Sequence, residues 1–191
     1  MELPTLHRGK PLPQTTPTAE LRPVAAADLP TLITIGRRIW QEHYVPIIGQ
    51  AQVDYMTSQR FTPEYLSRYL PSAGVNSDET PEHWLDVLEV DGAMVGYCSY
   101  SLGPAADELK LEQLYLLPEL HGRGLGGRMM RHIEQQARAL GRSVIWLTVN
   151  KYNDGSIAVY NKVGFTVREE AIFDIGNGFF MDDYVMEKRL P

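Results

Sequence analysis

The feature that most constrains this sequence is a strand-like run that leads through a glycine-rich turn directly into an amphipathic helix. The apolar run 109–117 predicts a strand, four glycines follow within residues 122–127, and helix-spaced apolar residues continue to Leu140. Glycine lets the backbone approach a ligand closely, and the first amides of a helix have no intrahelical partner. The turn therefore predicts an anion site with a diphosphate as its natural ligand, and Arg123 and Arg128 add positive charge there.

Two other phosphate-binding folds share part of this pattern. Gly122, Gly124 and Gly127 satisfy the G-x-G-x-x-G of dinucleotide-binding folds, but the next strand ends at Asn150 without the carboxylate that would bind a ribose. No Gly-Lys-Ser/Thr follows the turn, which argues against a Walker phosphate loop. A tight strand–helix turn without any ligand is the plain structural interpretation of the same residues.

The rest of the chain predicts a single α/β domain. Asp91-Gly92 separates two alternating runs and tolerates the positive backbone angles of a type I′ turn, which indicates an antiparallel hairpin. Strands are predicted at residues 20–24, 84–90, 93–101, 109–117, 144–149, 165–175 and 179–188. Helices are predicted at residues 28–44, 126–140 and 156–163, and another helix is predicted to begin at Thr62. This order predicts a mixed, mostly antiparallel central sheet flanked by helices, in one domain over residues 19–191.

Two segments depart from this regular pattern. Residues 1–18 hold four of the thirteen prolines and predict a flexible extension, because such a composition buries too little apolar surface to offset its ordering entropy. Residues 71–81 predict a turn-rich loop.

The charge balance limits the partners of this chain. Lys and Arg number 18 against 24 Asp and Glu, a formal net charge of −6, and nucleic-acid binding through counterion release needs a cationic surface instead. A negative field favours a cationic small partner. The lone Cys98 can form no internal disulfide, no Cys/His spacing predicts a metal site, and no apolar run is long enough to span a membrane. We therefore expect a cytoplasmic protein without nucleic-acid or membrane partners.

A second motif lies one strand downstream of the glycine turn. Asn153 precedes a short helix that carries Tyr160 and ends at Gly164, and taken alone this is an ordinary capped helix. In this order and at this distance, the two motifs resemble the GNAT superfamily, the general-control-related N-acetyltransferases, whose signature Q/R-x-x-G-x-G/A opens a helix. The resemblance covers residues 109–165, and its departure from the signature is His121 where the family has Gln or Arg.

The resemblance implies acetyl-coenzyme A as the cofactor. The pantetheine arm would pair with the backbone of residues 114–116, the Leu116 amide would polarise the thioester carbonyl, and the pyrophosphate would lie in the glycine turn. Asn153 would contact the cofactor beyond its thiol end. The implied cofactor-binding residues are Leu114, Tyr115, Leu116, Gly122, Arg123, Gly124, Leu125, Gly126, Gly127 and Asn153.

Two side chains are expected to carry the chemistry. An alkylammonium group, with a pKa near 10.4, must lose a proton before it can attack a thioester. Glu112 stands where family members that act on polyamines have a glutamate, and we expect it to accept that proton directly or through water. Strict strand alternation would place Glu112 on one face with Leu114 and Leu116. Tyr160 matches the family's tyrosine that donates a hydrogen bond or a proton to the departing thiolate.

The sequence therefore predicts an enzyme that transfers the acetyl group of acetyl-coenzyme A to a primary amine by direct attack in a ternary complex. Residues 145–149 and 182–186 resemble bacterial polyamine acetyltransferases of the PaiA type, which favours a small amine or a polyamine as the acceptor. Acetylation of protein or peptide N termini and a non-catalytic acyl-coenzyme A-binding module are the alternatives. The resemblance also implies a homodimer formed through the terminal hairpin.

The acceptor side is the part of the site with the weakest sequence signal. A predicted loop over residues 43–61 and the final hairpin would flank it. The aromatic residues expected to line it are Tyr44, Tyr55, Trp84 and Tyr184. Asp174, Asp182 and Asp183 would suit a cationic amine, but a solvated hairpin face explains these aspartates equally well.

Overall fold

One sheet of seven strands organises the part of the chain that the structure describes. The structure is a computed structural model that describes residues 18–70 and 82–191, so the predicted loop 71–81 and all but Thr18 of the predicted extension 1–18 lie outside the described residues. The strands are β1 (Ala19–Pro23), β2 (His83–Val90), β3 (Ala93–Leu102), β4 (Glu108–Leu116), β5 (Val144–Asn150), β6 (Thr166–Gly176) and β7 (Phe179–Arg189). Their order is β1-β2-β3-β4-β5-β7-β6, and each neighbouring pair is antiparallel except β4 and β5. The predicted α/β class and mostly antiparallel sheet are confirmed.

Helices cover both faces of this sheet. Over the described residues they are α1 (Leu29–Ile48), α2 (Gln50–Arg60), α3 (Pro63–Ser67), α4 (Leu125–Ala139) and α5 (Asp154–Lys162). One apolar core, with Ile133 and Leu147 fully buried, packs beneath α4 and α5, and a second, around Trp40 and Tyr97, packs beneath α1, α2 and α3. Cys98 is buried, and burial raises the pKa of its thiol. Among the described residues, no helix combines the length and apolar character that crossing a bilayer requires.

The segment 43–61 is helical, which corrects the predicted loop. α1 continues through Pro46 to Ile48, where packing of Val45 and Ile48 on the core beneath offsets the hydrogen bond that proline cannot donate. Gly49, with a φ of 80°, ends α1, and its carbonyl accepts a hydrogen bond from the Val53 amide, so α2 starts at once. A proline near the end of a helix therefore does not mark the helix boundary here.

β4 and β5 separate after a few residue pairs, and this opens the sheet. Their parallel register ends at Lys110 opposite Trp146, although β4 continues to Leu116 and β5 to Asn150. Beyond that point the facing edges of the two strands are not paired with each other, and such edges present backbone groups to which an extended ligand can bind.

A β-bulge in β4 changes which side chains share a face. Tyr100 of β3 lies opposite Leu111, and Cys98 lies opposite Leu114. Between these two pairs β4 has one residue more than β3. The inserted residue is Glu112. Leu111 and Leu114 therefore lie on one face, although strict alternation would separate them. The prediction that Glu112 shares the face of Leu114 is wrong, because a period-two pattern does not reveal an inserted residue.

Candidate active site

A cleft of about 330 Å³ lies where β4 and β5 separate. Residues 110–116 of β4 and 146–150 of β5 form its walls, α1 and α2 close one side, and α5 closes another. Pro118 and His121, on the turn that leads into α4, also line it. The cleft thus extends from His121, which immediately precedes the glycine turn, to the sheet face that α1 and α2 cover, and residues 122–127 lie outside its lining.

The glycine turn has the geometry of an anion site. Gly124 precedes α4 with a φ of 79° and no side-chain cap, and the Arg128 amide donates the first bond of the helix, to the Gly124 carbonyl at 3.1 Å. The amides of residues 125–127 consequently have no intrahelical acceptor. A Cβ at Gly122, Gly124 or Gly126 would meet no other atom within 4 Å, so the backbone here faces open space. Free amides and open space at the start of a long helix fit a pyrophosphate.

The end of β4 presents its backbone to the cleft. The Leu117 amide donates to the Val95 carbonyl at 2.9 Å, so the peptide groups of Leu116 point the other way, toward β5. The Leu116 carbonyl accepts a hydrogen bond from His121 Nε2 at 3.1 Å. His121, the departure from the family signature, therefore braces the strand end that is predicted to pair with a pantetheine arm.

Glu112 lies in the cleft, but its neighbours engage both of its carboxylate oxygens. Oε1 accepts a hydrogen bond from the Ser101 hydroxyl at 2.9 Å, and Oε2 pairs with the Lys110 ammonium at 3.0 Å. These partners lie on the face that α1, α2 and α3 cover. The bulge therefore places the Glu112 side chain on the side of the sheet opposite to Leu114.

A second carboxylate, that of Asp183 on β7, lies in the same cleft and is more isolated. Asp183 is 3% exposed, and its Oδ1 has no hydrogen-bond partner among the described residues. The pKa of Asp183 is raised to about 6, mainly by burial; a hydrogen bond with Thr148 opposes the rise, and the neighbouring Asp182 adds to it. The charges of Arg60 and Lys151 lower the pKa of this carboxyl by smaller amounts. A carboxylate that titrates near neutral pH is suited to exchange a proton with a bound group.

The three hairpin aspartates that the sequence grouped together have different surroundings. Asp182 pairs with Lys151, and Asp174 accepts a hydrogen bond from the Gly176 amide at 2.8 Å. Neither lines the cleft, so the interpretation as a solvated hairpin face holds for these two residues. It fails for Asp183, because strand alternation on β7 turns that side chain inward.

Tyr160 and Asn153 line the cleft from the side of α5. The Tyr160 ring packs against Phe165 with centroids 5.6 Å apart, and burial raises the pKa of its phenol, which therefore stays protonated. Asn153 caps α5 by accepting a hydrogen bond from the Ser156 amide at 3.3 Å. Its side chain also contacts His43, a cleft residue whose pKa burial lowers.

Among the four aromatic residues predicted to line the acceptor side, the structure places Tyr44 in the cleft. Trp84 stacks on Tyr100, with centroids 5.4 Å apart, in the core beneath α4, and Tyr184 packs against the same core. The predictions for Trp84 and Tyr184 are wrong, because strand alternation turns both residues to the opposite face. Tyr55 also lies outside the cleft lining, and its hydroxyl donates to the β6 backbone at 2.7 Å.

His43 and Arg60 are titratable cleft residues that the sequence pattern did not single out. Both belong to the segment 43–61, and a predicted loop has no helical face on which to place a side chain. The available signal was a helical pattern that continues through Pro46 to Gly49, where a glycine ends the first helix.

Comparison with known proteins identifies relatives of this chain. Residues 46–165 match the acetyltransferase (GNAT) family. Over 179 residues the chain is 27% identical to an uncharacterized N-acetyltransferase of Lactobacillus delbrueckii subsp. lactis, covering 87% of this chain and 95% of that protein. Over 174 residues it is 24% identical to a spermidine N(1)-acetyltransferase of Thermoplasma acidophilum, and the match covers 89% of this chain and 96% of that protein. The fold matches the crystal structure of a PaiA N-acetyltransferase from Thermoplasma acidophilum in complex with coenzyme A, with a TM-score of 0.74 and 23% identity. The match covers 90% of this chain and 99% of that one.

Proposed function

The chain belongs to the acetyltransferase (GNAT) family and is an acetyl-coenzyme A-dependent acyltransferase, and on that premise we propose that it acetylates the primary amino group of a small-molecule amine. The observation that carries the proposal is the buried carboxylate of Asp183, which lines one cleft with Tyr160 and has an oxygen without a partner among the described residues. A carboxylate in such a place binds an ammonium group and accepts its proton.

The residues predicted to bind the cofactor provide a fitting surface for it. Bound acetyl-coenzyme A supplies the activated acetyl group. The free amides of residues 125–127 would hold its pyrophosphate, and the edge of β4 over residues 114–116 would hold its pantetheine arm. His121 keeps the Leu116 peptide in the orientation that this pairing needs.

Asp183 is our choice for the proton acceptor. Its pKa of about 6 leaves it ionised, yet basic enough to take a proton, near neutral pH. The sequence-based prediction assigns this role to Glu112, whose two oxygens are engaged by Ser101 and Lys110. The role of Glu112 stays a prediction, and substitution of each carboxylate separates the two assignments.

Tyr160 is proposed to stabilise the sulfur that is released as the acetyl group is transferred. The phenol stays protonated because burial raises its pKa, so it is available as a hydrogen-bond donor toward the cleft. Packing against Phe165 holds the ring in one orientation. A positioned donor needs no movement at the moment of reaction, which is the condition for efficient electrostatic stabilisation.

Gly126→Val is expected to weaken coenzyme A binding by at least about tenfold, or ~1.4 kcal/mol, while the protein stays folded. A Cβ at Gly126 meets no protein atom within 4 Å, so the valine methyl groups would enter the space proposed for the pyrophosphate. Isothermal titration calorimetry with coenzyme A measures the loss, and thermal unfolding checks the fold. Ala139→Val, in the last turn of the same helix, is the matched control. An unchanged affinity in Gly126→Val would contradict the placement of the phosphates.

The identity of the amine is a finer proposal. A relative named as a spermidine acetyltransferase supports a small amine, and within that class the sequence favours a polyamine. The net charge of −6 is compatible with a cationic acceptor.

Release of the coenzyme A thiol tests the function directly. The protein is incubated with acetyl-coenzyme A and a panel of diamines, polyamines, amino acids and short peptides. Turnover with small primary amines is the expected result. Turnover confined to peptide N termini would overturn the proposal in favour of an N-terminal acetyltransferase. Tight coenzyme A binding without turnover across the panel would overturn it in favour of a non-catalytic binding module.

A further inference from the structure

Arg60 is a cation in the acceptor half of the cleft that has no hydrogen-bonded or ionic partner among the described residues. It is the last residue of α2, is half-buried, and lines the same cleft as Asp183. Its guanidinium carbon lies 5.8 Å from the centroid of the Trp40 ring. Within residues 18–70 and 82–191, Arg60 forms neither a side-chain hydrogen bond nor an ion pair. Its donors are therefore available to a ligand.

The other cations around this half of the cleft are engaged. Lys110 pairs with Glu112 at 3.0 Å. Arg68, nearby on the same face, stacks on the Tyr65 ring at 4.0 Å and donates to the Tyr65 hydroxyl at 2.7 Å. A guanidinium has five donors arranged in a planar fork. Arg60 is only half-buried, so its donors remain accessible to a ligand that brings an acceptor into the cleft.

Asp183 is the complementary unpaired group. Its Oδ1 is buried without a partner among the described residues, and Arg60 lies close enough for its charge to lower the pKa of Asp183. The two side chains nevertheless form no ion pair with each other within the described structure. One anion and one cation thus line the same cleft without contacting each other within the described structure.

We propose that the acceptor is an amine that also carries an anionic group, with the ammonium held at Asp183 and the anion, a carboxylate or a phosphate, held at Arg60. The inference rests on the proposed function and narrows its substrate class. Arg60 is suited to this role because a guanidinium binds a carboxylate or a phosphate through two parallel hydrogen bonds.

This inference departs from the polyamine that the sequence favours, because a polyamine leaves Arg60 without an anionic partner. Lys110 and Glu112 neutralise each other, so Arg60 and Asp183 leave the acceptor half without net charge. A polycation brings no anion to Arg60, and one of its charges would lie near a cation of the same sign. A zwitterionic amine satisfies both unpaired groups and adds no net charge to the cleft.

Matched amine pairs that differ by one carboxylate test this inference. The pairs are L-ornithine with 1,4-diaminobutane and L-lysine with 1,5-diaminopentane, and 2-aminoethyl phosphate with ethanolamine tests a phosphate in place of the carboxylate. Wild-type protein is expected to show a kcat/KM at least about tenfold higher for the anionic member of a pair. Arg60→Gln is expected to raise KM for that member by about tenfold to a hundredfold and to leave KM for its partner within about threefold.

Two further variants separate charge recognition from a structural effect. Arg60→Lys keeps the charge and is expected to retain part of the preference. Arg138→Gln, in the last turn of α4, is the matched control, because it also removes a helix-terminal arginine but lies outside the cleft lining. Thermal unfolding confirms that each variant is folded.

The failure of this inference differs from the failure of the proposed function. Wild-type protein that favours the diamines, or an Arg60→Gln variant that lowers kcat/KM equally for both members of a pair, would overturn the inference while leaving acetylation of amines intact. The absence of turnover with every amine, despite coenzyme A binding, would overturn both.

Discussion

Asp183→Asn is expected to lower kcat/KM by about 10²–10⁴-fold and, above pH 6, to make the protein more stable than wild type. The loss of activity follows because asparagine neither takes a proton from the acceptor nor pairs with its ammonium. The gain in stability follows because asparagine brings no buried charge. The wild-type carboxylate is 3% exposed, and burial is the main cause of its raised pKa.

The pH dependence follows from the sign of that shift. Between its usual pKa near 4 and its folded value of about 6, Asp183 binds more protons in the folded than in the unfolded state. The free energy of unfolding therefore falls as pH rises through this window, and the full loss, at most about 3 kcal/mol, persists above pH 6. Activity changes in the opposite direction, because kcat/KM rises as Asp183 ionises.

Two variants provide the comparison for Asp183→Asn. Asp182→Asn makes the same chemical change on the neighbouring residue, which pairs with Lys151 outside the cleft. It is expected to keep the wild-type rate at pH values where Asp183 is ionised and, because Asp182 raises the pKa of Asp183, to shift the rise of kcat/KM toward lower pH. Glu112→Gln tests the sequence-based assignment. Thiol release and thermal unfolding are measured from pH 4 to pH 9. Full activity in Asp183→Asn together with a large loss in Glu112→Gln would show that Glu112 accepts the proton.

Tyr160→Phe is expected to lower kcat by about 10²–10⁴-fold while KM for acetyl-coenzyme A changes little. Phenylalanine keeps the ring that packs on Phe165, so the fold and the cleft should be preserved. The substitution removes the phenolic hydroxyl, which stays protonated in the wild type because burial raises its pKa. A loss confined to kcat is the mark of an interaction made in the transition state.

Tyr152→Phe is the matched control for this substitution. Tyr152 is 72% exposed and does not line the cleft, so loss of its hydroxyl should leave the rate unchanged. Steady-state kinetics with acetyl-coenzyme A and the best amine compare the variants. A Tyr160→Phe variant with the wild-type kcat would show that Tyr160 is a packing residue and that the sulfur is stabilised by another donor.

Local sequence patterns determined most of the elements of this fold. The predicted hairpin turn at Asp91-Gly92 is confirmed, since both residues have positive φ, of 51° and 79°. Gly122 and Gly124 also have positive φ, as expected of a turn that opens a helix. These features depend on residues adjacent in the chain, so a short window of sequence contains the information.

Long-range packing decided the rest. The bulge at Glu112 depends on how β4 pairs with β3, and the continuation of the first helix through Pro46 depends on the core that it covers. Neither leaves a clear local pattern.

The sequence by itself determined the family, the order of the elements and the glycine turn, because these depend on backbone conformation and on periodic burial. Only the tertiary structure decided which charges remain unpaired in the cleft. Asp183 and Arg60 are 123 positions apart and face one cavity only after folding. Their burial, and the neighbours that neutralise Glu112 but leave these two groups unpaired, are properties of the packed chain.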